Sequence, residues 1–399
     1  MSKGLVVVAM SGGVDSSIAA ALLLEAGYEV TGITLKLKDC DDTRERTKAC
    51  CGLDDYIHVR LAADKLGIPH YFLDCRDDFK QKVLEYAWDE YRQGRTPNPC
   101  CMCNRYIKFG ILADYARSLG AVALATGHYA KLKNAADGAV ELRCAADNTK
   151  NQTYFLSMVA RDQLAYCMMP LGEYTKVEVR AKAALLGLDN ANKAESQDAC
   201  FGYRGEAFAD TLARHFNFSP RNGEIVNTDG KVIGHHGGIH RYTIGQRQHL
   251  GVALGKPAYV SQIEPEQNRI TLTTDQNDIM VTAFHVKNIN VIADFADDII
   301  CLVQARYGQK PVQCRLLRSG STATVTLEAP MIRPAVGQIA AFYRDDMLLA
   351  GSIICTPNVN GENRTAAVEG GALSLPCCSA VLKLATSSLK EAQRSQKSQ

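Results

Sequence analysis

The string Met10-Ser11-Gly12-Gly13-Val14-Asp15-Ser16-Ser17 follows directly on the apolar run Leu5-Val6-Val7-Val8-Ala9 and leads into a helical period ending at Gly27. A strand, a glycine turn and a helix in immediate succession point to folds in which helices wind around a parallel sheet. Adjacent glycines let the backbone turn sharply and aim its N–H groups at an anion, and the helix N-terminus adds a favourable dipole. The string therefore reads as a phosphate cradle. It contains neither G-x-x-x-x-G-K-[ST] nor G-x-G-x-x-G. The bland alternative is a plain turn in which Ser16 and Ser17 only cap the helix.

The text downstream extends the same alternation, with strands expected at 29–37, 70–75 and 121–126 and helices at 54–66, 76–93 and 106–118. This predicts an α/β fold whose N-terminal domain, residues 1–174, is a doubly wound parallel sheet. Two prolines in Gly94-Arg95-Thr96-Pro97-Asn98-Pro99 exclude helix there and predict a rigid loop presenting Cys100-Cys101-Met102-Cys103. Residues 175–222 read as short helices, a small connecting domain. From 223 to 355, period-2 runs between turns predict an antiparallel β-barrel. Residues 356–399, rich in Ser, Ala, Asn, Gly and Lys, read as a flexible tail, with Cys377-Cys378 a non-essential pair. A chain of 399 residues exceeds what one core usually supports, so several domains are expected.

The first residues lack a secretory core and cleavage site, and no apolar run approaches the roughly 20 residues of a membrane span, so a cytoplasmic protein with no membrane partner is expected. Fifteen cysteines in such a chain argue for metal, cluster, redox or sulfur chemistry over a disulfide framework. The net charge of +2 neither favours nor excludes nucleic acid, because a polyanion needs only a local basic surface.

Two cysteine segments stand out, Asn98-Pro99-Cys100-Cys101-Met102-Cys103-Asn104 and Glu195-Ser196-Gln197-Asp198-Ala199-Cys200-Phe201. C-x-x-C spacing at Cys100 and Cys103 is equally the mark of a zinc or cluster site, to which Cys50-Cys51 could add ligands. A thiolate or persulfide is also the natural nucleophile against a carbon whose oxygen has been adenylated. His235-His236 lacks the further ligands that a metal needs.

The phosphate string resembles the PP-loop of the ATP pyrophosphatase superfamily, whose members cleave ATP between the α and β phosphates and adenylate an oxygen. Together with the cysteine segments, the pieces Gly127-His128-Tyr129-Ala130, Lys150-Asn151-Gln152-Thr153-Tyr154-Phe155-Leu156, Tyr242-Thr243-Ile244-Gly245-Gln246-Arg247 and Arg306-Tyr307 resemble the tRNA-specific 2-thiouridylase family up to about Cys355. By that resemblance ATP lies against Ala9, Met10, Ser11, Gly12, Gly13, Val14, Asp15, Ser16, Leu35 and Gly127, with Asp15 placed to help a magnesium ion. The resemblance gives Cys200 a persulfide and makes Cys103 the second catalytic thiol, which releases product by attacking that persulfide or forming a transient disulfide. Asn98, Pro99 and Cys100 would line the pocket of the target base. His128, Lys150, Asn151, Gln152, Arg306, Tyr307 and Gln338 would meet tRNA, clamped by the connecting domain and the barrel.

The implied reaction is ATP-dependent adenylation of the 2-oxygen of a wobble uridine, then sulfur transfer with loss of AMP. A cysteine desulfurase or sulfur-relay protein would supply the sulfur. The chain departs from the family where Asn151 replaces an aspartate, and Cys100 stands where some members carry aspartate. Cys100, Cys103 and Cys200 are therefore also a candidate ligand set for a [4Fe-4S] cluster with one open iron. Two readings from other classes remain: a PP-loop ligase adenylating a small molecule, and a cysteine-rich sulfur or metal carrier.

Overall fold

The structure, a computed structural model, describes residues 2–38, 53–134, 139–191, 200–202 and 205–357. Cys50-Cys51, the stretch Glu195 to Ala199 and the tail with Cys377-Cys378 lie outside the described residues. Strands β1 (Leu5–Ala9), β2 (Glu29–Lys36), β3 (His70–Asp74) and β4 (Ala123–Thr126) form a parallel sheet with the short Cys167–Met168 in the order β3-β2-β1-β4 and then Cys167–Met168. Helices cover both faces, so β1 is apolar throughout: Val6 and Val8 pack with Ile18 on one side, and Val7 packs with Ile33, Phe109 and Leu124 on the other. The strand order turns back on itself between β1 and β4, and the crevice at their carboxyl ends is where such sheets bind ligands.

Two further helices run from 76 to 92 and from 99 to 118, each carrying a π-wound stretch, Lys80–Glu85 and Cys103–Ile111. The second corrects an expectation. Cys100 to Cys103 do not sit on a loop but in the first turns of this helix. The prolines mark its start: Pro99 takes the first helical position, and Asn98 caps it by accepting a bond from the Cys101 N–H at 3.2 Å.

Residues 175–222 were expected to stand as a small domain. Among the described residues, the helix Lys176–Leu185 instead adds Val179 and Ala183 to the core around α1 (Val14–Glu25), and Phe208–His215 adds Leu212 and Ala213 to the core on the other face of the sheet. The 223–355 stretch holds more than the one barrel expected of it. Gly223–Asn227, Val232–His236, Tyr259–Glu264 and Arg269–Thr273 make a four-stranded sheet with its own core of Ile225, Val260, Ile270 and Leu272. One of its pairings, between 223–227 and 269–273, is parallel.

The barrel proper is antiparallel and runs from Met280–Val291 to Met347–Cys355, which pair with each other and close it. A hairpin of the N-terminal half, β5 (Ala130–Asn134) and β6 (Val140–Cys144), joins the same sheet. Leu348 pairs with Leu142 in register, the Cys144 N–H donates to the Asp346 carbonyl at 2.8 Å, and Arg143 binds the Asp346 carboxylate at 2.5 Å. Barrel and nucleotide domain thus share one hydrogen-bonded sheet.

Candidate active site

The phosphate loop leaves the carboxyl end of β1 and enters α1 without a side-chain cap. Gly12 adopts φ +77°, open to glycine at no steric cost. Ser16 Oγ donates to the Gly13 carbonyl at 3.0 Å and accepts from the Ser11 N–H at 3.2 Å, tying the loop to the first helical turn. Gly127, after β4, passes so close that a Cβ there would meet the Asp15 carbonyl carbon and the Ser16 nitrogen at 2.8 Å. Its place beside the loop is therefore set by contact. Asn190, buried, donates through Nδ2 to the Gly12 carbonyl at 3.3 Å and to Ser17 Oγ at 3.2 Å, and holds the loop from behind.

Asp15 points away from the loop's hydrogen bonds. Its Oδ1 accepts from Tyr129 Oη at 2.8 Å, and both carboxylate oxygens accept from Lys176 Nζ at 2.8 Å. Leu35, near the end of β2, pairs in register with Leu73 of β3 and is nearly buried, so it offers a wall and not a polar contact. Ala9, Met10 and Val14 contribute backbone and packing, with Met10 and Val14 buried and the Met10 carbonyl accepting from Thr34 Oγ1 at 2.8 Å.

The cysteines gather at the same edge of the sheet. Cys75 follows the carboxyl end of β3, and Lys38, beyond the carboxyl end of β2, donates through Nζ to the Cys200 carbonyl at 3.0 Å. Phe201 meets His215 edge-on with ring centres 5.0 Å apart and leans on Phe79 at 6.4 Å, which holds the 200–202 segment over the helix pair. Cys200 is exposed, Cys100 half-buried and Cys103 buried. Burial pushes the Cys100 thiol up to about 11 and the Cys103 thiol up to about 12. Negative charge on Cys200 would raise both further, and the Lys108 ammonium pulls both back. Thiols far apart in sequence therefore feel each other's charge.

Lys108 was missed by sequence reasoning. In an α-helix a residue five along from Cys103 points about 140° away, at 3.6 residues per turn. The i→i+5 winding of Cys103–Ile111 brings it back towards the cysteine face. Cys101 is sequestered instead, its Sγ donating to the Tyr154 carbonyl at 3.7 Å.

Of the residues expected to meet RNA, Tyr307 and Arg306 are exposed, and the Tyr307 ring lies 4.3 Å from that of Phe155. Lys150 is half-buried. His128 bonds through Nδ1 to Thr126 Oγ1 at 2.9 Å, and burial, reinforced by Lys108, holds its pKa well below the usual histidine range, so the ring is neutral at pH 7. Three others are engaged within the protein. Asn151 Nδ2 donates to Cys144 Sγ at 3.2 Å while its Oδ1 accepts from Thr153 Oγ1 at 3.1 Å. Gln152 Oε1 accepts from the Tyr129 N–H at 2.9 Å, and Gln338 Nε2 donates to the carbonyls of Thr96 and Pro97 at 3.1 and 3.2 Å. Gln338 thereby braces the loop leading to Asn98, Pro99 and Cys100 from the barrel side.

Among the described residues no three His, Cys, Asp or Glu side chains come together as a metal-binding group. Cys100, Cys103 and Cys200 are all described, so in this arrangement they do not assemble the ligand set of a cluster. Both ring nitrogens of His236 are occupied, by the Asn268 carbonyl and the Gly238 N–H, which removes the metal reading of His235-His236. No helix among the described residues is long and apolar enough to cross a membrane.

Comparisons with known proteins follow the same divisions. Residues 4–203 match the family described as tRNA methyl transferase HUP domain, 209–274 the tRNA methyl transferase PRC-barrel domain, and 281–354 the aminomethyltransferase beta-barrel domain. The chain is 39% identical to the tRNA-specific 2-thiouridylase MnmA of Lachnoclostridium phytofermentans, across 88% of this chain and 99% of that one. It is 42% identical to the protein of the same name from Pelotomaculum thermopropionicum, across 89% and 98%. Among solved structures, a 4-thiouridine synthetase in complex with RNA and bound ATP aligns over 54% of this chain and 50% of its own, at 20% identity and a TM-score of 0.33.

Proposed function

The chain belongs to the tRNA-specific 2-thiouridylase family, and from that membership we propose how its residues divide the work of an ATP-dependent tRNA sulfurtransferase. The observation that carries the assignment is the convergence of a phosphate loop and thiols of three separate segments at one edge of one sheet.

ATP lies along Ala9 to Ser16 with Leu35 and Gly127 as walls, and the 2-oxygen of a wobble uridine attacks the α-phosphorus. The bond from that phosphorus to the bridging oxygen breaks and pyrophosphate departs. Magnesium would neutralise the charge on that leaving group, and because the ion takes only one or two protein carboxylates when bound with phosphates, Asp15 suffices to help hold it. The target base is turned out of the anticodon loop into the pocket of Asn98, Pro99 and Cys100, at a cost of a few kcal/mol. His128 meets it as a neutral imidazole.

The terminal sulfur of a Cys200 persulfide then attacks carbon 2. The Cys103 thiolate attacks the Cys200 sulfur, the sulfur–sulfur bond to the substrate breaks, and its electron pair stays with the transferred sulfur. Collapse expels AMP, leaving 2-thiouridine and a Cys103–Cys200 disulfide, which a thiol reductant must reopen. A cysteine desulfurase or sulfur-relay protein reloads Cys200, whose exposure suits such a donor. Arg306, Tyr307 and Lys150 face tRNA directly, while Asn151, Gln152 and Gln338 shape the surface beneath it. All of these steps belong in the cytoplasm, where tRNA and reducing thiols are found.

Nucleoside mass spectrometry of tRNA incubated with the protein, ATP, magnesium and a sulfur donor tests this. We expect 2-thiouridine with the intact chain and none with Cys103→Ala or Cys200→Ala. Persistence of product in either variant would remove that cysteine from the mechanism, and ATP turnover without tRNA would favour the small-molecule ligase.

A further inference from the structure

The phosphate loop lacks a cation of its own, since Met10 to Ser17 contains neither lysine nor arginine. A nucleotide triphosphate brings several negative charges, which backbone N–H groups and a helix dipole of about half a charge only partly offset. The fold supplies the missing charge from 161 residues downstream, where Lys176 Nζ lies 2.8 Å from both oxygens of Asp15 in the first turn of α1. We propose that Lys176 is a phosphate-binding residue of the ATP site, held on Asp15 and passed to the β- and γ-phosphates when magnesium nucleotide binds.

Its placement is costly unless an anion is meant to be there. Lysine is rarely buried, yet this side chain keeps only 10% of its exposure against 29% for Asp15. It also occupies the first position of the helix Lys176–Leu185, where the macrodipole disfavours a cation. The backbone around it is fixed twice over. Thr175 and Glu178 form a reciprocal capping box, and the Lys176 N–H donates to Asp147 Oδ2 at 3.0 Å. The Tyr129 ring, 5.8 Å from the ammonium, lies beside it, and Tyr129 Oη shares the same Asp15 oxygen. A long flexible stem thus leaves a rigid base and ends beside the loop, on the Asp15 carboxylate. Asp15 is the group to which the bound state gives magnesium. Were Asp15 to turn to the ion, the ammonium would be released from that carboxylate to the phosphates. No bond is made or broken in this exchange, and the two charges only change partners.

The assignment rests on the ATP-dependent reading above, and its test separates the two. The intact protein, Lys176→Met, Lys176→Gln and Lys176→Arg are titrated with magnesium ATP, magnesium pyrophosphate and AMP, and each is assayed for tRNA thiolation. A charge-assisted phosphate contact is worth ~10- to 100-fold in affinity. We expect Met and Gln to lose that much for ATP and pyrophosphate while AMP changes less than about twofold, and Arg to retain most of the affinity. Gln keeps a polar tip and serves if Met does not fold. Equal loss for all three ligands would show that Lys176 merely holds the loop and would overturn the proposal, as would no loss for any. If the intact chain binds ATP with this pattern but thiolates no tRNA, the functional reading falls and the lysine assignment stands.

Discussion

At neutral pH Cys103 is a thiol, because burial pushes its pKa up to about 12, and the nucleophile in sulfur chemistry is the thiolate. A raised thiol pKa leaves the reactive form scarce below that value and makes it about tenfold more abundant for each pH unit gained. Single-turnover release of AMP and 2-thiouridine should therefore accelerate about tenfold per unit between pH 7 and 9, measured by rapid quench, if attack by Cys103 limits the rate. A flat profile would place proton removal before the measured step. Lys108 is the charge that opposes burial here, so Lys108→Met should slow the same step without weakening tRNA binding. The sequence could nominate Cys103 and Cys200 because their motifs are local strings. It offered no sign of Lys108, whose approach depends on a π turn, or of Lys176, which is brought to Asp15 by the tertiary fold. Asn151 is the instructive case. The departure from aspartate put a charge-dependent role in question, and the structure uses its amide at both ends, with Thr153 and with Cys144. Asn151→Asp should change stability by less than about 1 kcal/mol in a urea titration, since the thiol can turn donor to the carboxylate.

Within elements, the contrast lies between existence and position. Strand β1, α1 and β3 were legible because glycine stops and alternation mark them. Proline misled at 97–99, where the same residues that break one helix begin the next. Asn98 is the cap that decides this, and Asn98→Ala should cost about 1 kcal/mol of stability by denaturant unfolding, with Asn98→Ser close to neutral. Loss of activity in the alanine variant beyond that in the serine variant would reflect displacement of Cys100 and Cys103 at the helix start. The connecting segment was harder to read. Helical period reveals that Lys176–Leu185 has an apolar face but not that α1 receives it.

Taken whole, the protein has one tryptophan, and it reports from the nucleotide half. Trp88 is buried beside Phe216 and Phe218, with ring centres 6.3 and 5.0 Å away. Leu348, fully buried, lies in the closing strand of the barrel where it meets β6. Leu348→Ala should lose about 2–5 kcal/mol, and the loss should appear in Trp88 fluorescence although the mutation is in the barrel. An unchanged Trp88 transition would mean that the two halves unfold independently. No sequence pattern announces this union, since β6 and Met347–Cys355 are each ordinary strands and only their pairing joins the domains. The shared sheet also bears on how the chain is made. Roughly 200 residues separate β6 from its partner, a delay of about 10–40 s at ordinary rates of synthesis. Until the last barrel strand leaves the ribosome, the hairpin of the nucleotide domain presents a bare edge, and the enzyme cannot be finished from its N-terminus alone.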